Sequence, residues 1–276
     1  MMNKPYVIFS DLDGTLLDYH TYSFEAALPA LKKIENENIP LVLVSSKTRR
    51  ELSLYQEKLG ITGLPFVVEN GSAIYTSIGY FKGLGYSEIS GENDRYALGR
   101  KYQEIEKILI EISEKYHYLI RGFHNATRNE IEQMTGLSGE ELQMALTREF
   151  SIPLFFDKVA EQILLTEIEA YNLKILYGGR FMHLLSNVDK GEAMTILMNG
   201  YKERLGQKNL QSIALGDSLN DFNMLQVADH AILVKKYDGS YELSQKLENI
   251  VYSPGIGPEG WNQSLLTLLQ TGGSNE

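Results

Sequence analysis

The chain of 276 residues has no cysteine, which excludes disulfides, thiolate nucleophiles and cysteine-bound zinc. Such usage fits a reducing compartment, and the expected location is cytoplasmic. Positive charge is also scarce, with 26 Lys plus Arg against 36 Asp plus Glu and a formal net charge of -10. A surface of that sign repels phosphodiester backbones and anionic lipid heads, so neither nucleic acid nor a membrane is expected as a partner. Long apolar runs are missing as well. Tyr6 to Phe9 runs straight into Asp11 and Asp13, and Ile39 to Val44 and Ala231 to Val234 are equally brief. All fall far short of the roughly 20 residues of a spanning helix and of a secretory h-region. No internal repeat or low-complexity tract is present. Hydrophobic residues at 43% and charged residues at 22% are the balance of a folded globular chain, and the length suits one large domain or two ordinary ones.

What is there alternates short apolar runs with segments of helical period, the signature of a parallel sheet wrapped by helices. Tyr6–Phe9, Leu41–Val44, Phe66–Val68, Ser212–Leu215 and Ala231–Val234 are predicted strands. Leu28, Leu31 and Ile34 predict a helix between the first two, with Pro29 in its first turn. Leu52, Tyr55 and Leu59 predict the next, capped by Gly60. The middle of the chain differs. Leu98, Tyr102, Ile105, Leu109, Ile112 and Tyr116 trace one face of a long helix, and Ser138 with Glu141 predicts a capping box. Strand-like runs accompany them at Tyr118–Ile120, Leu154–Phe156, Ile163–Thr166 and Leu173–Tyr177. The expected fold class is therefore α/β, a Rossmann-like doubly wound layer of residues 1–84 and 187–276 with an α+β domain of residues 85–186 inserted into it.

The strongest local signal is Asp11-Leu12-Asp13-Gly14-Thr15, directly after the first strand. In open parallel sheets ligands sit beyond the carboxyl ends of the strands, and side chains at i and i+2 of an extended chain share a side. Two anions held together repel unless a cation joins them, and a hard ion such as Mg²⁺ suits all-oxygen ligands. One carboxylate can then attack phosphorus while the other moves a proton. By itself the string also reads as an ordinary capped turn. Three further features change the balance. Ser45 stands at the end of Leu41–Val44, where a hydroxyl can hold a phosphoryl oxygen, although a helix-capping serine would look the same. Lys190 opens the helix carrying Ala193, Ile196 and Leu197, a placement that opposes the helix dipole unless an anion is near. Gly216-Asp217-Ser218-Leu219-Asn220-Asp221 follows Ser212–Leu215, so that Asp217 can complete a metal shell with Asn220 and Asp221 orienting it. Four such features in this order point to one phosphate-handling site.

Together, Asp11-x-Asp13-Gly14-Thr15, Ser45, Lys190 and Gly216-Asp217-x-x-Asn220-Asp221 resemble the haloacid dehalogenase (HAD) superfamily of phosphatases, and the insertion resembles its large α+β cap. The resemblance implies that Asp11 is the nucleophile, that Asp13 protonates the leaving alcohol and later activates water, and that Ser45 and Lys190 grip the phosphate. It also implies Mg²⁺ on the Asp11 carboxylate, the Asp13 carbonyl and Asp217. More narrowly, Ser45-Ser46-Lys47-Thr48-Arg49-x-Glu51, Glu69-Asn70-Gly71, Thr135-Gly136-Leu137, Arg148-Glu149 and Gly179-Arg180-Phe181-x-His183 resemble the mannosyl-3-phosphoglycerate phosphatase family, with departures at Ile152 and Ser186. The implied substrate is a small phosphorylated glycoside, mannosyl- or glucosyl-3-phosphoglycerate, cleaved to a glycosylglycerate that serves as a compatible solute. Such a substrate carries a carboxylate, for which a planar cationic fork is the natural partner. In the cap, Arg180 with His183 is the first candidate and Arg148 the second. Another sugar-phosphate phosphatase or a sugar-phosphate mutase would keep the same core motifs.

Overall fold

The computed structural model describes residues 6–82, 84–85, 87–177, 181–242 and 247–271. Its first half runs β1 (Tyr6–Ser10), α1 (Leu28–Asn36), β2 (Leu41–Val44), α2 (Arg49–Lys58), β3 (Phe66–Val68), β4 (Ala73–Ser77), β5 (Glu88–Ser90) and β6 (Asn93–Ala97). Next come α3 (Tyr102–Lys115), α4 (Arg128–Thr135), α5 (Gly139–Ala145), β7 (Ser151–Phe155), α6 (Lys158–Glu167), β8 (Leu173–Tyr177) and β9 (Phe181–Ser186). The chain ends through α7 (Lys190–Leu205), β10 (Gln211–Gly216), α8 (Phe222–Val227), β11 (His230–Lys235), β12 (Ile250–Ile256) and α9 (Gly257–Thr271).

The strands form two sheets. The larger has the order β12-β11-β10-β1-β2-β3-β4-β6-β5. It is parallel from β12 to β3 and antiparallel from β4 onward. The smaller, β7-β9-β8, is antiparallel. The parallel strands are buried on both faces, which is why they read as unbroken apolar runs. Alternation still sorts their side chains. Ile8, Leu41, Leu43, Ile213 and Leu215 face α1 and α9, where Trp261 and Leu265 close the core. Val7, Phe9, Val42, Val44 and Ala214 face α7 and α8, against Ala193, Leu197 and Met224. A third cluster sits apart from both: Ile105, Leu109 and Ile112 of α3 and Leu164 of α6 cover Ile152, Leu154, Met182 and Leu184 of the small sheet.

Four local expectations fail. Leu98 lies outside the long helix, which begins at Tyr102, because its N–H donates to the Ser72 carbonyl at 2.9 Å and its side chain packs on the core. Ile163–Thr166 belongs to helix α6, whose N-terminus the Asp157 carboxylate caps by accepting from the N–H groups of Val159 and Ala160. Ala160, Leu164 and Ile168 form its buried stripe, and a four-residue apolar run cannot by itself distinguish this from a strand. Tyr118–Ile120 is not a strand, because Asn125 ties the backbone of Ile120 and Gly122 into a turn. Ser138 precedes α5 but its side chain makes no capping bond, since Gly139 enters the helix at φ 54°, outside the geometry a capping box requires. Working boxes occur instead at Thr48 with Glu51 and at Thr127 with Glu130.

The strands β5 and β6, residues 88–97, pair onto β4 and so extend the large sheet. The two chain crossings between the sheets then lie side by side: the Arg100 N–H donates to Ser186 Oγ at 2.8 Å, and a Cβ on Gly99 would stand 3.4 Å from the Cβ atoms of Ser186 and Ser72.

Candidate active site

Strand register delivers the site. Ser10 lies opposite Leu215 on one side and Leu43 on the other, so β1, β2 and β10 end level with one another. The first polar residues beyond them, Asp11, Ser45 and Asp217, therefore share one edge. Backbone bonds extend the ladder into these loops, with Asp11 N–H donating to Leu215 at 2.9 Å and Ser45 N–H to Val67 at 3.0 Å. Gly14 turns at φ 80°, and a Cβ there would stand 2.8 Å from Asp217 Oδ2. Both the conformation and the close approach require glycine. Thr15 Oγ1 donates to Asp217 Oδ1 at 3.3 Å, tying the first loop to the last.

Asp11, Asp217 and Asp221 are buried with carboxylate oxygens within 4.8 Å of one another. The Lys190 ammonium, fully buried, lies 2.6 Å from Asp11 Oδ1 and 2.6 Å from Asp221 Oδ1. This resolves why a lysine opens α7: Asp189 caps the helix through the N–H groups of Gly191 and Glu192, and Lys190 turns inward to carboxylates. Burial pushes the Asp11 carboxyl well above its ordinary range; Asp221 and Asp217 add to this and Lys190 opposes it. Asp217 is pushed to about 7, by burial first and then by Asp221, against Lys236 and Lys190. For Lys190 burial pulls downward, but Asp11 and Asp221 outweigh it and hold the ammonium above its ordinary value. With all three carboxyls ionised, the single buried ammonium would offset only one of their charges, which is why burial and mutual repulsion raise Asp11 and Asp217 in the metal-free site. A hard divalent cation fits that deficit and that donor set. Asp221 is already committed, with Oδ1 on Lys190 and Oδ2 accepting from the N–H groups of Asp217 and Ser218 at 3.1 Å each. Its place is to orient its neighbours.

The remaining expected residues fall as follows. Asp13 is two residues beyond Asp11 but points elsewhere than the triad: its Oδ2 meets Lys47 Nζ at 2.9 Å, while Oδ1 is buried without a hydrogen bond among the described residues. Ser45 is buried, and its Oγ accepts from Lys47 N–H at 3.3 Å. Asn220 donates through Nδ2 to Asn70 Oδ1 at 3.0 Å. Arg148 and His183 come together with Asp13, Ser46 and Lys47 around a cavity of about 120 Å³. Arg148 donates to the Ser46 carbonyl and to Ser151 Oγ, and it stands 3.6 Å from Glu69. Burial, reinforced by Arg148, pushes His183 down to about 3, so the ring is neutral, and its Nδ1 has no hydrogen-bond partner among the described residues. Arg180 lies outside the described residues.

Two groups emerge that spacing alone does not reveal as site residues. Lys47 is one. The other is Glu69-Asn70-Gly71 at the end of β3, with successive φ values of 47°, 61° and 98°. The Glu69 carboxylate is buried and accepts from Glu149 N–H, Phe150 N–H and Ser151 Oγ. Burial raises its pKa against the pull of Arg148 and those donors. Glu69 N–H donates to the Lys47 carbonyl and Asn70 N–H to that of Ser45. A Cβ on Gly71 would stand 2.2 Å from the Asp189 carbonyl oxygen. The strained turn thus fastens the loop after β2, the start of α7 and the entry to β7 to one another. Its available signal was an Asn-Gly pair at a strand's carboxyl end.

The profile of haloacid dehalogenase-like hydrolases matches residues 8–253. The chain belongs to that family. Its curated relatives include a glucosyl-3-phosphoglycerate/mannosyl-3-phosphoglycerate phosphatase of Persephonella marina, 39% identical over 95% of this chain and 97% of that protein. A protein of the same description from Methanococcoides burtonii is 36% identical over 96% of this chain and 97% of its own length. Among solved structures, a haloacid dehalogenase-like hydrolase from Bacteroides thetaiotaomicron superposes with a TM-score of 0.66 at 16% identity, covering 96% of this chain and all of that one. At that identity the likeness is one of fold. Among the described residues no helix is long and apolar enough to cross a membrane.

Proposed function

We propose that this HAD-family hydrolase is a Mg²⁺-dependent phosphatase of mannosyl-3-phosphoglycerate or glucosyl-3-phosphoglycerate. The observation that carries the chemistry is the buried Asp11 carboxylate held by Lys190 beside Asp217, with Asp13 two residues on. The substrate class rests on the two relatives that match nearly end to end. Asp11 attacks phosphorus; the ester P–O bond breaks, and its electron pair leaves on the glycerate oxygen, which takes a proton from the Asp13 carboxyl. Water then attacks the aspartyl phosphate and gives its proton to Asp13. The bond between Asp11 and phosphorus breaks, freeing inorganic phosphate and the ionised Asp11. Ser45 and Lys190 hold the phosphoryl oxygens through both steps.

Asp11, Asp217 and the Asp13 carbonyl would hold Mg²⁺, with Asp221 and Asn220 fixing the loop that carries Asp217. When bound, the cation withdraws charge from the phosphoryl oxygens and lets an anionic nucleophile approach an anionic ester. Residues 85–186 contribute the cap. With 88–97 paired into the core sheet, the part free to move begins at the crossing of 98–100 against Ser186. Arg148 and His183 reach the cavity from that side, where neutral His183 is suited to sugar hydroxyls.

A phosphate-release screen across phosphorylated glycosides and hexose phosphates, with and without Mg²⁺, tests the reading. Preferred release from the glycosyl-3-phosphoglycerates, abolished by chelation, is expected. Equal rates on simple hexose phosphates would overturn the substrate class. Isomerised sugar phosphate without free phosphate would overturn hydrolysis in favour of a mutase.

A further inference from the structure

The substrate class proposed above carries a constraint from its own covalent structure, and the inference here rests on that reading. In a 3-phosphoglycerate the ester oxygen and the carboxylate carbon are separated by only three bonds. Wherever the leaving oxygen meets Asp13, the carboxylate must lie within one side chain's reach of Asp13. The cation at that place is Lys47, its Nζ 2.9 Å from Asp13 Oδ2 and its side chain 13% exposed. The backbone of Lys47 is fixed at both ends of the residue: its N–H donates to Ser45 Oγ at 3.3 Å and its carbonyl accepts from Glu69 N–H at 3.1 Å. The rings of Tyr22 and Tyr55 stand 5.2 and 5.8 Å from the ammonium, which narrows the positions it can take. It lines the same cavity as Arg148, His183 and Thr135.

Among the described residues, the other cations nearby are committed. Arg49 pairs with Glu149, and Arg95 with Glu88 and Glu149. Arg148 spends its terminal nitrogens on Ser46 and Ser151 and lies beside the buried Glu69. Its Nε, buried and without a partner among the described residues, is the competing donor.

We propose that Lys47 is the residue that recognises the substrate carboxylate. It exchanges part of its hold on Asp13 for the incoming anion, so that carboxylate binding and placement of the leaving oxygen at Asp13 are one event. An ammonium with three donors can serve two carboxylates at once.

The test compares kcat/KM for the glycosyl-3-phosphoglycerate and for its carboxamide counterpart, identical in sugar and phosphate. Wild type should prefer the carboxylate by roughly 10²-fold, the scale of one lost charged hydrogen bond. Lys47→Met should reduce that preference to within a few-fold, and Lys47→Arg, which keeps the charge, should recover most of it. A preference that survives Lys47→Met, or an equal loss on both substrates, overturns the assignment and leaves Lys47 as a holder of Asp13. Collapse of the preference in Arg148→Ala with Lys47→Met unaffected overturns it in favour of Arg148. A wild type without any preference for the carboxylate overturns the substrate class and this assignment together.

Discussion

Lys190→Met removes the ammonium that sits inside the carboxylate triad while nearly preserving its volume. In the native chain the ammonium is fully buried and lies 2.6 Å from both Asp11 Oδ1 and Asp221 Oδ1. Breaking a buried pair from one side leaves an uncompensated charge and costs about 3–5 kcal/mol. Here two carboxylates lose their partner, so the upper half of that range applies in metal-free buffer. The pH for the assay follows from the direction of the Lys190 shift, which is upward. A raised folded pKa contributes stability that is complete below the unfolded value near 10.5, falls as pH rises between the two values and is gone above the folded one. Urea denaturation at pH 8 with chelator therefore reads the full loss. The double variant Lys190→Met/Asp221→Asn should recover about 1–3 kcal/mol relative to additivity, because it removes one of the stranded anions. A loss in the single variant below about 1 kcal/mol, or strict additivity in the double, would refute the account of how the triad is held.

Three further outcomes are expected. Asp11→Asn, nearly isosteric but unable to act as an ionised nucleophile, should lower kcat by about a thousandfold or more while the product glycoside still binds, measured by turnover and by equilibrium titration. Retained turnover in protein shown free of deamidation would count against Asp11. Gly71→Ala forces a Cβ to within 2.2 Å of the Asp189 carbonyl oxygen at φ 98°, and strain plus overpacking should cost about 3 kcal/mol or more in urea; a change under about 1 kcal/mol would show that the turn adapts. His183, held down to about 3, stays neutral in the folded chain while the unfolded chain binds a proton below about 6.5. Stability is then lost as pH falls from about 6.5 toward 3, at up to about 1.4 kcal/mol per unit. The ring is half-buried, so about 0.5–1 kcal/mol per unit is expected as the difference in slope between wild type and His183→Gln. Parallel slopes would mean that the ring is hydrated.

The core of the fold was legible because its strands are buried on both faces. Tyr6–Phe9, Leu41–Val44, Phe66–Val68, Ser212–Leu215 and Ala231–Val234 all fall within observed strands. Their carboxyl ends, with the motif residues attached, follow from parallel register alone. The antiparallel extension was not legible: β6 reads Asn-Asp-Arg-Tyr-Ala, a polar strand whose identity comes from pairing with β4 and from the Arg95–Glu149 contact. The edge strand β12 contains Pro254 and Gly255, both of which weaken a strand signal and are tolerated only at an edge or bulge. Tertiary context decided α6, where the buried stripe from Ala160 to Ile168 spans more than the apolar run suggests. For the site, Asp11, Asp217, Asp221 and Lys190, which the structure brings together, could be singled out in the sequence because each stands at a strand end or helix start. Lys47 and Glu69 stand in the sequence only as parts of longer motifs. Nothing local says that a lysine beyond Ser45 folds back onto Asp13, or that a glutamate at φ 47° reaches the entry to β7; both depend on contacts distant in sequence.

The central claim is that phosphorus is carried covalently by Asp11. The measurement that bears on it most directly is a single turnover quenched in acid at the millisecond scale, followed by borohydride reduction and mass spectrometry of the peptide spanning Ser10 to Thr15. Reduction of an acyl phosphate converts the aspartate that carried it to homoserine. The account predicts homoserine at position 11 alone, absent without Mg²⁺ and absent in Asp11→Asn. Conversion at position 13 would reverse the roles of the two carboxylates. Full turnover with neither position converted, and with oxygen from labelled water entering phosphate directly, would contradict the covalent mechanism.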